Sequence, residues 1–175
     1  MRTVGRAARA VAVLMLLTAT VACGSTGEPA AREAAYEARL DDGAAVTAVS
    51  LRGAPALLST WATWCAECKG ELPGLETLWR GRRDEGLQVV AVNVDGHGID
   101  RGVKAMIRDF GLTMPVWRDP DNNFAASFST VGVPTTVLLD AGGRVVRTWF
   151  GPTDFEGSDV AGEVDAALTT GPTSR

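Results

Sequence analysis

Two cysteines three positions apart, in Trp64-Cys65-Ala66-Glu67-Cys68-Lys69, constrain this chain more than any other feature. They are close enough to close a small disulfide ring. The pair follows an apolar, strand-like run from Ala56 to Thr60 and opens a helix-like one. A cysteine at a helix start meets unpaired backbone N–H groups and the positive end of the helix dipole, which favour thiolate over thiol. The thiolate is the nucleophile of disulfide exchange.

The surrounding pattern reads as alternating strands and helices. Val46 to Leu51 is a short strand, and Arg52-Gly53-Ala54-Pro55 turns the chain into a buried strand from Ala56 to Trp61. Cys65 to about Arg83 reads as a helix with Leu72, Leu75, Leu78 and Trp79 on one stripe. Pro73 lies inside it and predicts a kink, because proline lacks the donor and clashes with the carbonyl of Lys69. Leu87 to Val94 is continuously apolar, as a central strand is. Asp100 to Phe110 is amphipathic, Met114 to Trp117 a short strand, and Asn122 to Phe128 a short helix. Thr135 to Leu139 and Val145 to Phe150 form a hairpin around Asp140-Ala141-Gly142-Gly143-Arg144. Asp154 to Leu168 is the last helix. Such an order predicts an α/β fold, a mixed central sheet with helices on both faces.

The N-terminal region reads differently. Arg2, Arg6 and Arg9 precede an apolar run of 12 residues, Val11 to Ala22, which is too short to span a bilayer comfortably. The expected division is a signal peptide over 1–22, a tether over 23–44, a folded domain over 45–170 and a tail over 171–175. Within the tether, Ala30 to Leu40 could form a transient helix. Thr20-Val21-Ala22-Cys23 resembles a bacterial lipoprotein box, with Thr20 where Leu is frequent. That resemblance implies lipidation of Cys23 and an extracytoplasmic, membrane-anchored protein. Only Cys65 and Cys68 then remain as thiols, so the CxxC is the one possible bridge. Hydrophobic residues make up 46% of the 175, enough for a full core. Loss of the three leader arginines takes the formal charge from −4 to about −7. An acidic chain without basic runs argues against nucleic-acid binding.

Four stretches stand out together: Trp61-Ala62-Thr63-Trp64-Cys65-x-x-Cys68-Lys69, Glu71-Leu72-Pro73, Val89 to Val94, and Val131-Gly132-Val133-Pro134-Thr135-Thr136. On these residues the chain from 45 to 168 resembles the thioredoxin superfamily, and more narrowly its TlpA/ResA/DsbE-like, membrane-tethered branch. The resemblance implies a thioredoxin fold and a thiol–disulfide oxidoreductase. Cys65 is then the exposed attacking thiol and Cys68 the buried resolving thiol. Pro134 is expected in cis, with the backbone of Val133 free to pair with a substrate strand. Glu71, three residues after Cys68 on the same helix face, implies a carboxyl with a raised pKa that moves the proton of Cys68. Thioredoxin's buried aspartate, six residues before the first cysteine, is replaced by Ser59, which leaves Glu71 as the candidate base. Glu67 stands where many relatives carry proline. Its charge opposes the Cys65 thiolate and predicts a more reducing potential, by about 30 mV for one pKa unit.

Other residues carry weaker expectations. Trp64 and Trp61 shape the surface around the cysteines, with Trp64 and Val133 as substrate contacts. Trp79, Trp117 and Trp149 read as packing, His97 as an exposed loop residue, and Asp95 as the rim of a substrate groove. No organic cofactor or metal is required. The expected partners are exported proteins, with apocytochrome c thiols as an example, and a membrane electron donor. A monomer is expected. The alternatives are an oxidant for disulfide formation and a copper(I) carrier, with Met106 and Met114 as further soft ligands. A peroxiredoxin needs threonine three residues before its reactive cysteine, and Ala62 stands there.

Overall fold

The computed structural model describes residues 35–170. The leader, Cys23, most of the expected tether and the tail lie outside the described residues. Seven strands form one mixed sheet: β1 (Glu37–Arg39), β2 (Ala45–Thr47), β3 (Ala56–Trp61), β4 (Gln88–Asn93), β5 (Val116–Arg118), β6 (Thr135–Leu139) and β7 (Val145–Phe150). Their spatial order is β2-β1-β5-β4-β3-β6-β7. The helices are α1 (Ala66–Arg82), α2 (Asp100–Asp109), α3 (Asn123–Phe128) and α4 (Ser158–Thr170). This is the expected α/β thioredoxin fold.

Strands β3, β4 and β5 run parallel, while β6 runs antiparallel to β3. Every residue of β3 is buried, as befits a strand covered on both faces. Side-chain alternation divides its residues between two cores. Leu57 and Trp61 join Val89, Leu138 and the buried stripes of α1 and α4 on one face. Ala56 and Leu58 join Val90, Val92, Val137 and α3 on the other.

One expected boundary moves. The domain does not begin at residue 45: β1 pairs with β2 and with β5, and Tyr36 before it is fully buried. The transient helix reading of Ala30 to Leu40 therefore fails at its C-terminal part. The physical reason is tertiary. Tyr36 packs against Phe124 and Phe128 with ring centroids 5.5 and 5.4 Å away, and such pairs are worth about 0.5–1.5 kcal/mol each beyond area burial. The strand expected over Val46 to Leu51 is shorter as well, since Ala48–Leu51 is a 3-10 turn. Pro73 lies within α1, which runs on through it.

A buried carboxylate ties α1 to the far side of its own face. Glu76 accepts N–H bonds from Thr113 at 2.8 Å and Met114 at 3.1 Å, and its other oxygen meets Arg80 Nε at 2.6 Å. Burial alone raises this carboxyl, but the bonds from Thr113, Arg80 and Met114 outweigh it and hold it below 4.5. Glu76→Gln turns an amide N–H₂ toward these donors, so it is expected to cost about 1–3 kcal/mol at neutral pH. Because the folded pKa is depressed, this stabilisation exists above the unfolded pKa and disappears as pH falls through the folded one. Urea melts of both proteins check it: the difference between them should shrink from neutral pH toward about pH 3. An unchanging difference contradicts the assignment.

Candidate active site

The site is assembled at one edge of the sheet by strand direction. β3 ends there at Trp61, and β4, parallel to it, ends there at Asn93. β6 is antiparallel to β3, so it begins there, directly after Pro134. Three chain segments therefore meet at the edge where strands of open α/β sheets end and ligands bind.

Cys65 is the N-cap of α1, and its Sγ accepts the Cys68 N–H at 3.1 Å. A sulfur in that position takes up one of the unpaired donors of a helix start. Cys65 and Cys68 are joined by a disulfide. Their exposures are 4% and 0%. The expectation of an exposed Cys65 is thus corrected for the oxidised form: Cys65 is the more open residue of the two, yet it is buried. The reason is packing, because both cysteines belong to the core shared by α1, α4 and β3.

The Val133–Pro134 peptide is cis, as expected. Val133 packs against the same core cluster that holds both cysteines. Trp64 is 69% exposed and Val131 83% exposed, so apolar side chains project from both sides of the site. The turn into β6 is stapled to β3 by a residue that sequence reasoning missed. The Thr60 hydroxyl donates to the Thr135 carbonyl at 3.0 Å and accepts the Thr135 N–H at 2.8 Å. It takes over where the ladder stops at Ser59 and Thr136.

Glu71 lies on α1 and is 8% exposed. Its Oε2 accepts the Thr153 N–H at 2.9 Å. Burial pushes the carboxyl up to about 7, against the opposing pull of the Thr153 N–H and the Ser59 hydroxyl. Ser59 in turn accepts from the Thr136 hydroxyl at 2.8 Å, leaving its own proton for Glu71. The serine at the place of thioredoxin's aspartate is thus a neighbour of the glutamate. Beside Glu71 opens a cleft of about 570 Å³ lined by Glu67, Pro73, Pro152, Phe155 and Glu156 among others.

The remaining expectations separate clearly. His97 is exposed and faces Asp121 Oδ1 at 3.2 Å. Trp61 and Trp117 are buried, while Trp79 lies under Arg83 and Trp149 Nε1 donates to Asp159. Asp95 requires a correction. It does not rim a groove, being only 1% exposed; it binds the chain just before the cysteines instead. Its Oδ2 accepts the Thr63 N–H at 2.8 Å, and its Oδ1 accepts the Thr63 hydroxyl at 2.8 Å. The signal that could have found it is the Asn93-Val94-Asp95 spacing, which puts two polar side chains on one side of a strand end.

Comparison with known proteins agrees with this geometry. The profile of the AhpC/TSA family matches residues 29–148. The thiol–disulfide oxidoreductase ResA of Bacillus subtilis is 31% identical over 97 residues, covering 55% of this chain and 53% of that protein. ResA of Geobacillus thermodenitrificans is 32% identical over 96 residues, with 55% and 54% covered. The chain therefore spans about half the length of these curated relatives. A secreted Mycobacterium tuberculosis disulfide oxidoreductase homologous to E. coli DsbE superposes with a TM-score of 0.64 at 23% identity, covering 78% of this chain and 98% of that one. StoA of Bacillus subtilis superposes with a TM-score of 0.59 at 24% identity, covering 69% and 90%. These two likenesses concern the fold. With its profile match over more than half its length, the chain belongs to the AhpC/TSA family, and it is similar to the ResA thiol–disulfide oxidoreductases.

Proposed function

We propose that this protein is an extracytoplasmic thiol–disulfide oxidoreductase that reduces disulfides of exported proteins through Cys65 and Cys68. The observation that carries the reading is the disulfide at the start of α1, on the same sheet edge as the cis Val133–Pro134 turn. The Cys65 thiolate attacks a client sulfur, the client S–S bond breaks, and the departing sulfur takes a proton. The Cys68 thiolate then attacks Cys65 in the mixed disulfide, which frees the second client thiol and closes Cys65–Cys68. Two electrons pass to the client, and a membrane electron donor restores the dithiol. The backbone of Val133 holds the client strand, with Trp64 beside it. Glu71 takes the proton of Cys68, since a carboxyl raised to about 7 is matched to that task at neutral pH. Cys23 carries the lipid that keeps the domain at the membrane. An apocytochrome c is a fitting client, because its cysteines must be reduced before haem is attached.

Ala62 at the third position before Cys65 counts against peroxidase chemistry. Equilibration with glutathione tests both the activity and its direction. A potential well below about −200 mV fits a reductant, and one near −120 mV fits an oxidant. The Cys68→Ala variant should accumulate mixed disulfides with clients on Cys65. A protein that exchanges with no disulfide at any pH removes the proposal.

Glu71 makes a separate prediction. Glu71→Gln is expected to slow the Cys68 step about 10- to 100-fold near neutral pH, measured with Cys68 intact as decay of the transient mixed disulfide in rapid-quench experiments. Its folded pKa is raised, so the stability it leaves intact below 4.5 is lost as pH rises through about 7. Denaturant melts of the oxidised protein should show this loss in the wild type and not in Glu71→Gln. Parallel pH curves for the two proteins rule it out.

The charge between the cysteines is exposed in the first turn of α1. Glu67→Pro should shift the potential to less negative values by up to about 30 mV, with solvent screening reducing the shift. Proline is tolerated in a first helical turn, so the helix start survives the change. No shift, or a more negative potential, contradicts the role assigned to this charge.

A further inference from the structure

The chain enters the first cysteine through a single tight turn. The Cys65 N–H donates to the Ala62 carbonyl at 3.1 Å, closing Ala62-Thr63-Trp64-Cys65. Thr63 is the first central residue of that turn. It is held twice by one carboxylate: its N–H donates to Asp95 Oδ2 and its hydroxyl to Asp95 Oδ1, each at 2.8 Å. The carboxylate is itself aimed. Asn93, fully buried at the end of β4, donates from Nδ2 to Asp95 Oδ2 at 2.8 Å and reaches the Trp61 carbonyl at 3.4 Å. Main-chain bonding completes the frame, with the Val94 N–H donating to the Trp61 carbonyl at 2.9 Å.

We infer that Asn93, Asp95 and Thr63 form a positioning clamp that fixes the Ala62–Cys65 turn and thereby holds Cys65 Sγ at the helix start where its thiolate is stabilised. The inference rests on the redox reading of Cys65 and concerns how that reactivity is set. The physical argument is one of geometry. The stabilisation comes from N–H groups at the start of α1 and falls off within the first turn. Sulfur must therefore stay within hydrogen-bond reach of the Cys68 N–H, at 3.1 Å in the oxidised form. In the dithiol the covalent bridge is gone, and the preceding turn is the remaining tether on the Cys65 side. A carboxylate held by several donors is a rigid acceptor, and charge-assisted bonds are about twice as strong as neutral ones. The clamp also keeps Trp64, the second central residue of the turn, pointing into solvent at 69% exposure.

Thr63→Val tests the clamp with the smallest change. It removes the hydroxyl bond but retains the side-chain shape and every charge around the site: Glu67, Lys69 and Glu71 on α1, and Asp95 after β4. The reduced full-length protein is alkylated across pH, and peptide mapping by mass spectrometry separates Cys65 from Cys68 and from any Cys23 that carries no lipid. The expected result is a midpoint for Cys65 raised by about half to one pH unit and alkylation at neutral pH slowed about three- to tenfold. Thr63→Ser keeps the hydroxyl and should restore the wild-type profile. If Thr63→Val lowers stability but leaves the Cys65 profile where it was, the residue is merely structural and the clamp is refuted. Refutation also follows if Thr63→Ser behaves like Thr63→Val. A wild type that alkylates normally yet exchanges with no disulfide refutes the redox reading instead.

Discussion

Strand β3 is bonded on both flanks, to β4 in parallel and to β6 in antiparallel register, and the site follows from that. Parallel pairing brings the end of β4, with Asn93 and Asp95, level with the end of β3. Antiparallel pairing brings the start of β6, with its cis-proline turn, to the same level. All six β3 residues are buried, so slipping the register by one would exchange the two cores and expose no compensating face. The cysteine turn has nowhere else to emerge. The chemistry at the edge is thus a consequence of a strand whose position is over-determined by packing.

Three hydroxyls within five residues divide the work at this edge. Ser59 and Thr60 are neighbours in β3, so alternation sends them to opposite faces. Ser59 turns to the α1 face, where it meets Thr136 and Glu71. Thr60 closes the gap between β3 and β6 with two bonds to Thr135. Thr63 lies past the strand end and engages Asp95. Each hydroxyl can donate and accept at once, so each satisfies main-chain or carboxyl groups that the ladder leaves behind where it stops. Buried polar groups without such partners cost about 1–3 kcal/mol each. The polar content of this otherwise apolar strand is therefore matched to the irregular backbone around it.

Much of this was readable in the chain itself. The continuous apolar runs of β3 and β4, the hairpin of β6 and β7, and the helix opened by Cys65 follow from periodicity and turn chemistry. The cis state of Pro134 and the place of Glu71 followed from resemblance to a family. What escaped reading depends on distant partners. β1 has three residues and only Ala38 turned inward, too short to display alternation. Its neighbour Tyr36 acquires meaning from the rings of Trp117, Phe124 and Phe128, all more than eighty positions away. Asp95 read as the rim of a groove because nothing local shows that Thr63 lies opposite it. Thr60 read as one more strand residue because its hydroxyl acts on a segment 75 positions away.

Placing the acid on α1 rather than on β3 has a consequence for control of the proton. An aspartate on β3 would sit on a strand that cannot move without disturbing both cores. Glu71 stands instead between α1 and the segment after β7, whose Thr153 N–H is one of its two bonded donors. That bond pulls the carboxyl down, against burial, which pulls it up. The segment also lines the cleft beside Glu67, through Pro152, Phe155 and Glu156. Opening it would hydrate the carboxylate while removing a donor, and closing it would do the reverse. The two effects oppose one another in either direction, with burial the larger of them.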